Sequence, residues 1–297
     1  MRFATHGSPR RHRAVGIAVA AAMLGGGVTG CGAEENLTPG EAVARATEKA
    51  ADVTSLRYRV TGTLPEHGKV RAEASMGVRP SVMSMELTGL GDTEDRPVEI
   101  RFVGGAMYVQ GDTSVLGDTD GKRWIEAGPA VWGSGTADNQ SYGVVPRQMQ
   151  GSPLLQSMIL SGADDVKKTG TETVDGTGTT HYRGTVTTKE LRTAQGAAKD
   201  KETRERLTTG LDQLLGLGLR FGSALTMDLW VDGDDRAKQF RMRGKTSSLN
   251  GKGRTVDTGP LDMTVTFLDV DPSVTVEPPA ADDTVDAGAL ADEAGVS

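Results

Sequence analysis

An α+β fold, a curled antiparallel sheet wrapped around short helices, is predicted by three features of this 297-residue chain. Apolar and polar residues alternate with period two through many short runs. A few capped stretches at helical spacing interrupt those runs. Turn sequences rich in Asp and Gly separate them. Period two leaves one face of a sheet dry and the other wet, which is the habit of antiparallel rather than doubly covered parallel sheet. A hydrophobic content of 36% is enough for a core.

The chain opens on Arg2, Arg10, Arg11 and Arg13, with no acid before residue 14. Residues 14–28 (AVGIAVAAAMLGGGV) follow. This apolar run is shorter than the ~20 residues that span a hydrocarbon core, and it reads as the apolar part of a secretory signal. It closes on Val28-Thr29-Gly30-Cys31. The tetrapeptide resembles a bacterial lipobox, which implies lipidation of the Cys31 sulfur and cleavage before it. The plainer alternative is an ordinary signal with a chance cysteine. Arg10-Arg11 hints at twin-arginine export, but His12-Arg13 stand where an apolar residue is usual, so general secretion is favoured. The expected division is a lipoprotein signal (1–30), a tether (31–37), one domain (38–279) and an acidic, disordered tail (280–297). Such a chain sits outside the cytoplasm on the outer face of the cytoplasmic membrane. Its own surface is acidic, so the lipid and not the fold holds it there.

Thr38-Pro39-Gly40-Glu41 opens the first helix, with Thr38 as cap, Pro39 at the first helical position and Glu41 completing a capping box. Val43, Ala46 and Ala50 give it a thin apolar stripe. Strand runs follow. Leu56, Tyr58 and Val60 alternate with Arg57 and Arg59. Val70, Ala72, Ala74 and Met76 make a second run, Met83, Met85 and Leu87 a third, and Val98, Ile100 and Phe102 a fourth. Ser152-Pro153 starts a short helix carrying Leu154, Leu155, Met158 and Ile159. Thr187 and Glu190 form a second capping box, and a weak helical pattern runs from there to about Gly216, broken at Gly196. Three runs close the pattern: Leu225, Met227, Leu229 and Val231; Phe240 and Met242; Leu261, Met263, Val265 and Phe267. Turns are expected at Glu66-His67-Gly68, Asp118–Gly121, Asp175-Gly176 and Asp232–Asp234, and loops at 112–122 and 133–143.

Composition removes several function classes. One cysteine excludes an intrachain disulfide framework and a cysteine-cluster zinc site. Four histidines speak against a histidine-built metal centre. A net charge of −7 speaks against nucleic acid as partner. No GxSxG, P-loop or HExxH is present. Asp118, Asp120 and Gly121, like Asp232, Asp234 and Asp235, lack the ligands of a calcium loop and read as turns. His67 in a turn and His181 in a strand are expected to be exposed and unspecialised. Residues 199–206 (KDKETRER) read as a solvated face. Trp124, Trp132 and Trp230 either pack locally or edge a cavity mouth. No enzyme, cofactor or metal is expected.

About ten strands at ~4.8 Å each make a sheet roughly 48 Å across. Three helices of ~10 Å diameter cover about 30 Å of it. The sheet therefore curls over its helices, dimerises or encloses an apolar ligand. The candidate cavity wall is its dry face: Leu56, Tyr58, Val60, Met76, Met83, Met85, Leu87, Val98, Ile100, Phe102, Leu225, Met227, Leu229, Met242, Met263, Val265 and Phe267. Six of these are Met, a flexible side chain suited to an irregular apolar surface and equally suited to filling an aromatic-poor core.

The order of segments carries a resemblance. The lipobox leads to a capped helix and an SLRYRVTGT strand. AMYVQG, Lys122-Arg123-Trp124-Ile125, SPLLQSMILSG, VDGTGTTHYRGTV, MDLWVDGDDRAKQFRM and MTVTFLDVDPSVTVEPP follow. Over about residues 38–279 this order resembles the actinobacterial LppX/LprAFG lipoproteins, relatives in fold of LolA-type carriers. The resemblance implies a half-barrel sheet with helices on its concave face and an apolar cavity between them. It also implies a membrane-anchored protein that binds or carries acylated lipids or lipoglycans. The alternative is an envelope sensor or interaction module with a protein partner and no lipid. A hydrolase has no nucleophile and base to support it.

Overall fold

Thr38 caps the first helix as its neighbours dictate: its Oγ1 accepts from the Glu41 amide, while the Glu41 carboxylate accepts from the Thr38 amide at 2.7 Å. In this computed structural model the described residues are 37–89, 97–111, 119–128, 152–217, 220–221, 224–249, 252 and 254–293. The signal, the lipobox, Cys31, the 133–143 loop and Trp132 lie outside them.

Helix α1 (Pro39–Ala50) is followed by six strands: β1 (Ser55–Leu64), β2 (Gly68–Val78), β3 (Ser81–Thr88), β4 (Val98–Val103), β5 (Ala106–Gln110) and β6 (Trp124–Ala127). A 3-10 helix, Pro153–Gly162, leads to β7 (Lys167–Val174) and β8 (Thr177–Val186). Helices α2 (Thr188–Ala197) and α3 (Lys201–Gly216) precede β9 (Arg220–Phe221), β10 (Leu225–Asp232), β11 (Ala237–Leu249) and β12 (Thr255–Val270). A short 3-10 turn, Ala281–Asp283, then β13 (Thr284–Asp286) and α4 (Ala287–Glu293) follow.

The strands form one open sheet in the order β13-β6-β5-β4-β3-β2-β1-β12-β11-β10-β8-β7, with β9 paired to β11 off that path. Every pair is antiparallel except β13 with β6. Hairpins join most neighbours; Asp175 and Gly176, both at positive φ, make the tight β7–β8 turn. A long-range join, β1 to β12, brings the two halves of the chain edge to edge. All predicted strand runs are present. Most are longer than expected, because Thr- and Gly-rich ends extend the ladder without adding alternation.

The 3-10 helix lies at the centre of the helical layer. α1 and α3 pack on it, and it touches β8, β10 and β11. Ser152 caps it at the Leu154 amide, and Leu154, Met158, Ile159 and Leu160 are buried together with Gln156 and Ser157. A helix buried nearly all round needs no polar stripe. The pattern read as one helix broken at Gly196 is two helices. The break falls at 198–200, where Asp200 caps α3 through the Thr203 amide at 2.7 Å.

The tail expected to be disordered is also corrected. Residues 281–293 are ordered against β6, with Thr284, Val285 and Asp286 in parallel register with Trp124, Ile125 and Glu126. Low apolar content says only that the segment cannot fold alone; it is ordered by a strand edge some 160 residues earlier.

Candidate functional site

The dry face named from the sequence is one surface of the core. Its residues are 7% exposed or less, apart from Val98, which is partly buried against them. The ladder sets their order. Met227, Met242 and Met263 lie side by side across β10, β11 and β12, and Met76, Met83 and Phe102 across β2, β3 and β4. Tyr58 is the one hydroxyl among them. It is fully buried, its hydroxyl faces the Met83 sulfur at 3.8 Å, and burial pushes the phenol's pKa well up.

A cleft of about 220 Å³ opens beside this core, under the C-terminal end of α1 and over the ends of β11 and β12. Ala46, Ala50, Val53, Leu154, Ala237 and Val270 form its apolar walls, and Lys49, Asp52, Arg236 and Asp271 carry charge around them. Ala46, Ala50, Leu154 and Ala237 also belong to the core cluster, so the cleft and the interior share walls. None of its ten lining residues is among the seventeen face residues singled out from the sequence. The cleft is made by a helix end meeting two strand ends, and period-two alternation carries no signal for such a junction.

Side-chain ties hold α1 over the cleft. Arg45 and Lys49 pair with Asp235 at 3.5 and 3.8 Å, Lys49 donates to the Asp234 carbonyl, and Glu48 pairs with Arg206 of α3. The Thr47 and Ser161 hydroxyls meet at 3.1 Å beneath the helix. Elsewhere the buried face of α1 is Ala42, Val43, Ala46 and Ala50, and the helix packs on the 3-10 helix.

On the convex face the expectation for His181 fails. It is buried, not exposed: Nε2 faces Asp228 Oδ1 at 2.7 Å, Nδ1 faces Glu172 Oε1 at 2.8 Å, and the ring stacks on Trp230 at 4.2 Å. Arg183 and Arg243 donate to the same Asp228 at 2.6 Å, and Trp230 donates to Glu172. The residues come from β7, β8, β10 and β11, so only strand pairing could show that they meet. Trp230 therefore packs locally. Trp124 does too, on the outer face under the Arg101 guanidinium at 4.6 Å.

The open, curled antiparallel sheet with helices on its dry side is the fold that the resemblance to the LppX/LprAFG lipoproteins implied. LprF from Mycobacterium bovis is similar at 13% identity and TM-score 0.47, covering 82% of this chain and 97% of that one. LppX of Mycobacterium tuberculosis is similar at 16% identity and TM-score 0.42, covering 80% and 98%. A putative outer membrane lipoprotein-sorting protein domain from Vibrio parahaemolyticus is similar at 7% identity and TM-score 0.25, covering 81% and 95%. No family model matches the chain. The chain belongs to the family of the "uncharacterized 31.2 kDa protein in rplA-rplJ intergenic region" of Streptomyces griseus, with which it is 31% identical over 269 residues, 80% of each protein. No helix among the described residues is long and apolar enough to cross a membrane.

Proposed function

We propose that this protein is a lipid-anchored, extracytoplasmic, non-catalytic binder of acylated lipids, and that acyl chains enter between the sheet and its helices. The observation that carries this reading is the concave face: methionines set side by side on an aliphatic surface, sharing walls with a cleft that opens to solvent between charged residues. Methionine repacks around chains of different length at small cost. Moving a 16-carbon chain from water to such an interior gains about 12 kcal/mol before ordering costs. The Tyr58 hydroxyl, with only a thioether partner, is placed to donate to a guest carbonyl.

Entry beneath α1 is the least costly route. That helix buries mostly alanine, and its exposed ion pairs contribute about 0.2–1 kcal/mol each. Chains pass inward while the head group stays among Lys49, Asp52, Arg236 and Asp271. Mass spectrometry of organic extracts of purified mature protein tests the reading. Co-purifying acyl lipids, or uptake of added ones, are expected; protein that is always empty and takes up none would overturn it. Anchoring is tested separately. Cys31→Ser should move the protein from the membrane fraction to the soluble one with its melting curve unchanged, and continued membrane fractionation would refute the lipobox reading.

A further inference from the structure

Of all the pairings in the sheet, the last is built differently. β13 is three residues long and is the single parallel strand, and it covers the edge of β6. The segment that supplies it is acidic and apolar-poor. Of the described side chains in 281–293, Leu290 is the one that is buried. Its polar attachment is Asp283, which accepts from the Arg123 amide at 3.0 Å and from Arg123 Nε at 2.7 Å, with the Arg123 side chain largely exposed. Asp286 starts α4 by accepting from the Ala289 amide at 2.9 Å. Residues 272–280, with Pro272, Pro278 and Pro279, carry no helix or strand and form an extended leash, touched by Arg101 at the Glu277 carbonyl.

This is how a docked peptide is held: an extended stretch added to a sheet edge, one carboxylate read by an arginine, one apolar anchor. An internal strand of this fold has none of these traits; β2 and β3, for example, pair over eight positions with buried side chains alternating along most of their length. We infer that the edge of β6 is a strand-docking site occupied in cis by residues 281–293. The leash lets the segment leave and return without unfolding the sheet. This inference does not depend on lipid binding.

The full-length chain carrying Asp283→Lys and Leu290→Asp tests it, read by amide hydrogen exchange. Exchange at residues 124–127 should rise at least tenfold, while β1 and β12 keep their protection. A synthetic peptide of residues 281–293 should then restore protection saturably, and the same peptide with Asp283→Lys should not. Unchanged exchange at 124–127, or exposure that the peptide fails to reverse, would overturn the proposal. Should the double variant not fold, Asp283→Lys alone, which leaves Leu290 in place, gives the second measurement. Exchange at 124–127 raised above wild type and lowered again by the free 281–293 peptide supports the site, and exchange equal to wild type refutes it.

Discussion

Asp228 points to the outer side of the sheet, yet its carboxylate is 1% exposed, because Arg183, His181 and Arg243 close over it. Burial resists its charge, and hydrogen bonds from Arg183, Arg243 and His181 outweigh that resistance, so its pKa lies below the usual 3.8. Breaking a buried ion pair by removing one partner costs about 3–5 kcal/mol. Arg183 and Arg243 are 48% and 34% exposed and can turn to water, so Asp228→Asn should cost less, about 2 kcal/mol, measured by urea unfolding at pH 7. The sign with pH follows from the depressed folded value. The carboxylate's contribution is present above the unfolded pKa near 3.8 and is lost as pH falls through the folded one. The variant should therefore lose less stability than wild type between pH 5 and pH 2. Parallel acid profiles for the two proteins would refute this account. The sequence hid the cluster because His181 and Asp228 lie 47 residues apart and alternation marks both as simply outward.

At the scale of elements, α3 and the 3-10 helix approach unusually closely, and Gly210 is the reason. A Cβ there would lie 2.6 Å from the Met158 carbonyl oxygen and 3.0 Å from its carbon. Glycine inside a helix normally costs about 1 kcal/mol relative to alanine. Here the sign should reverse, since backbone rather than a yielding side chain stands in the way. Gly210→Ala should destabilise by about 1–3 kcal/mol, as overpacked cores do, whereas Gly196→Ala in α2, with nothing within 4 Å, should stabilise slightly. Thermal melts of the two variants check the pair, and a stabilised Gly210→Ala would show that the helices are free to part. These elements also show what was legible beforehand. α1 was readable to its cap, and the strands from Leu56, Met83 or Met263 were readable because local alternation is what makes one face dry. The α2–α3 break, the cleft and the ordered tail were not, since each depends on contacts between segments distant in the chain. β13 is the clearest case: its pairing is a property of the β6 edge rather than of residues 284–286.

For the whole molecule the decisive quantity is the match between sheet and helices. Twelve strands along the ladder span roughly 58 Å at ~4.8 Å each, while α1, the 3-10 helix, α2 and α3 at ~10 Å cover about 40 Å. Curling closes this difference, as the low exposure of the concave face shows, so a guest of the proposed kind enters by parting the helices from the sheet. A ligand that binds the folded state alone stabilises it by about 2.7 kcal/mol at a hundred times its Kd. In a domain of this size each kcal/mol raises Tm by about 2–4 °C. Delipidated protein melted with saturating long-chain lipid should therefore gain roughly 5–10 °C. The gain should grow with acyl length, because each added CH2 contributes up to about 0.8 kcal/mol, and it should shrink when Ala46→Trp fills the cleft under α1. A Tm indifferent to chain length would mean that the methionines already fill the interior, and the concave face would then be a core and nothing more.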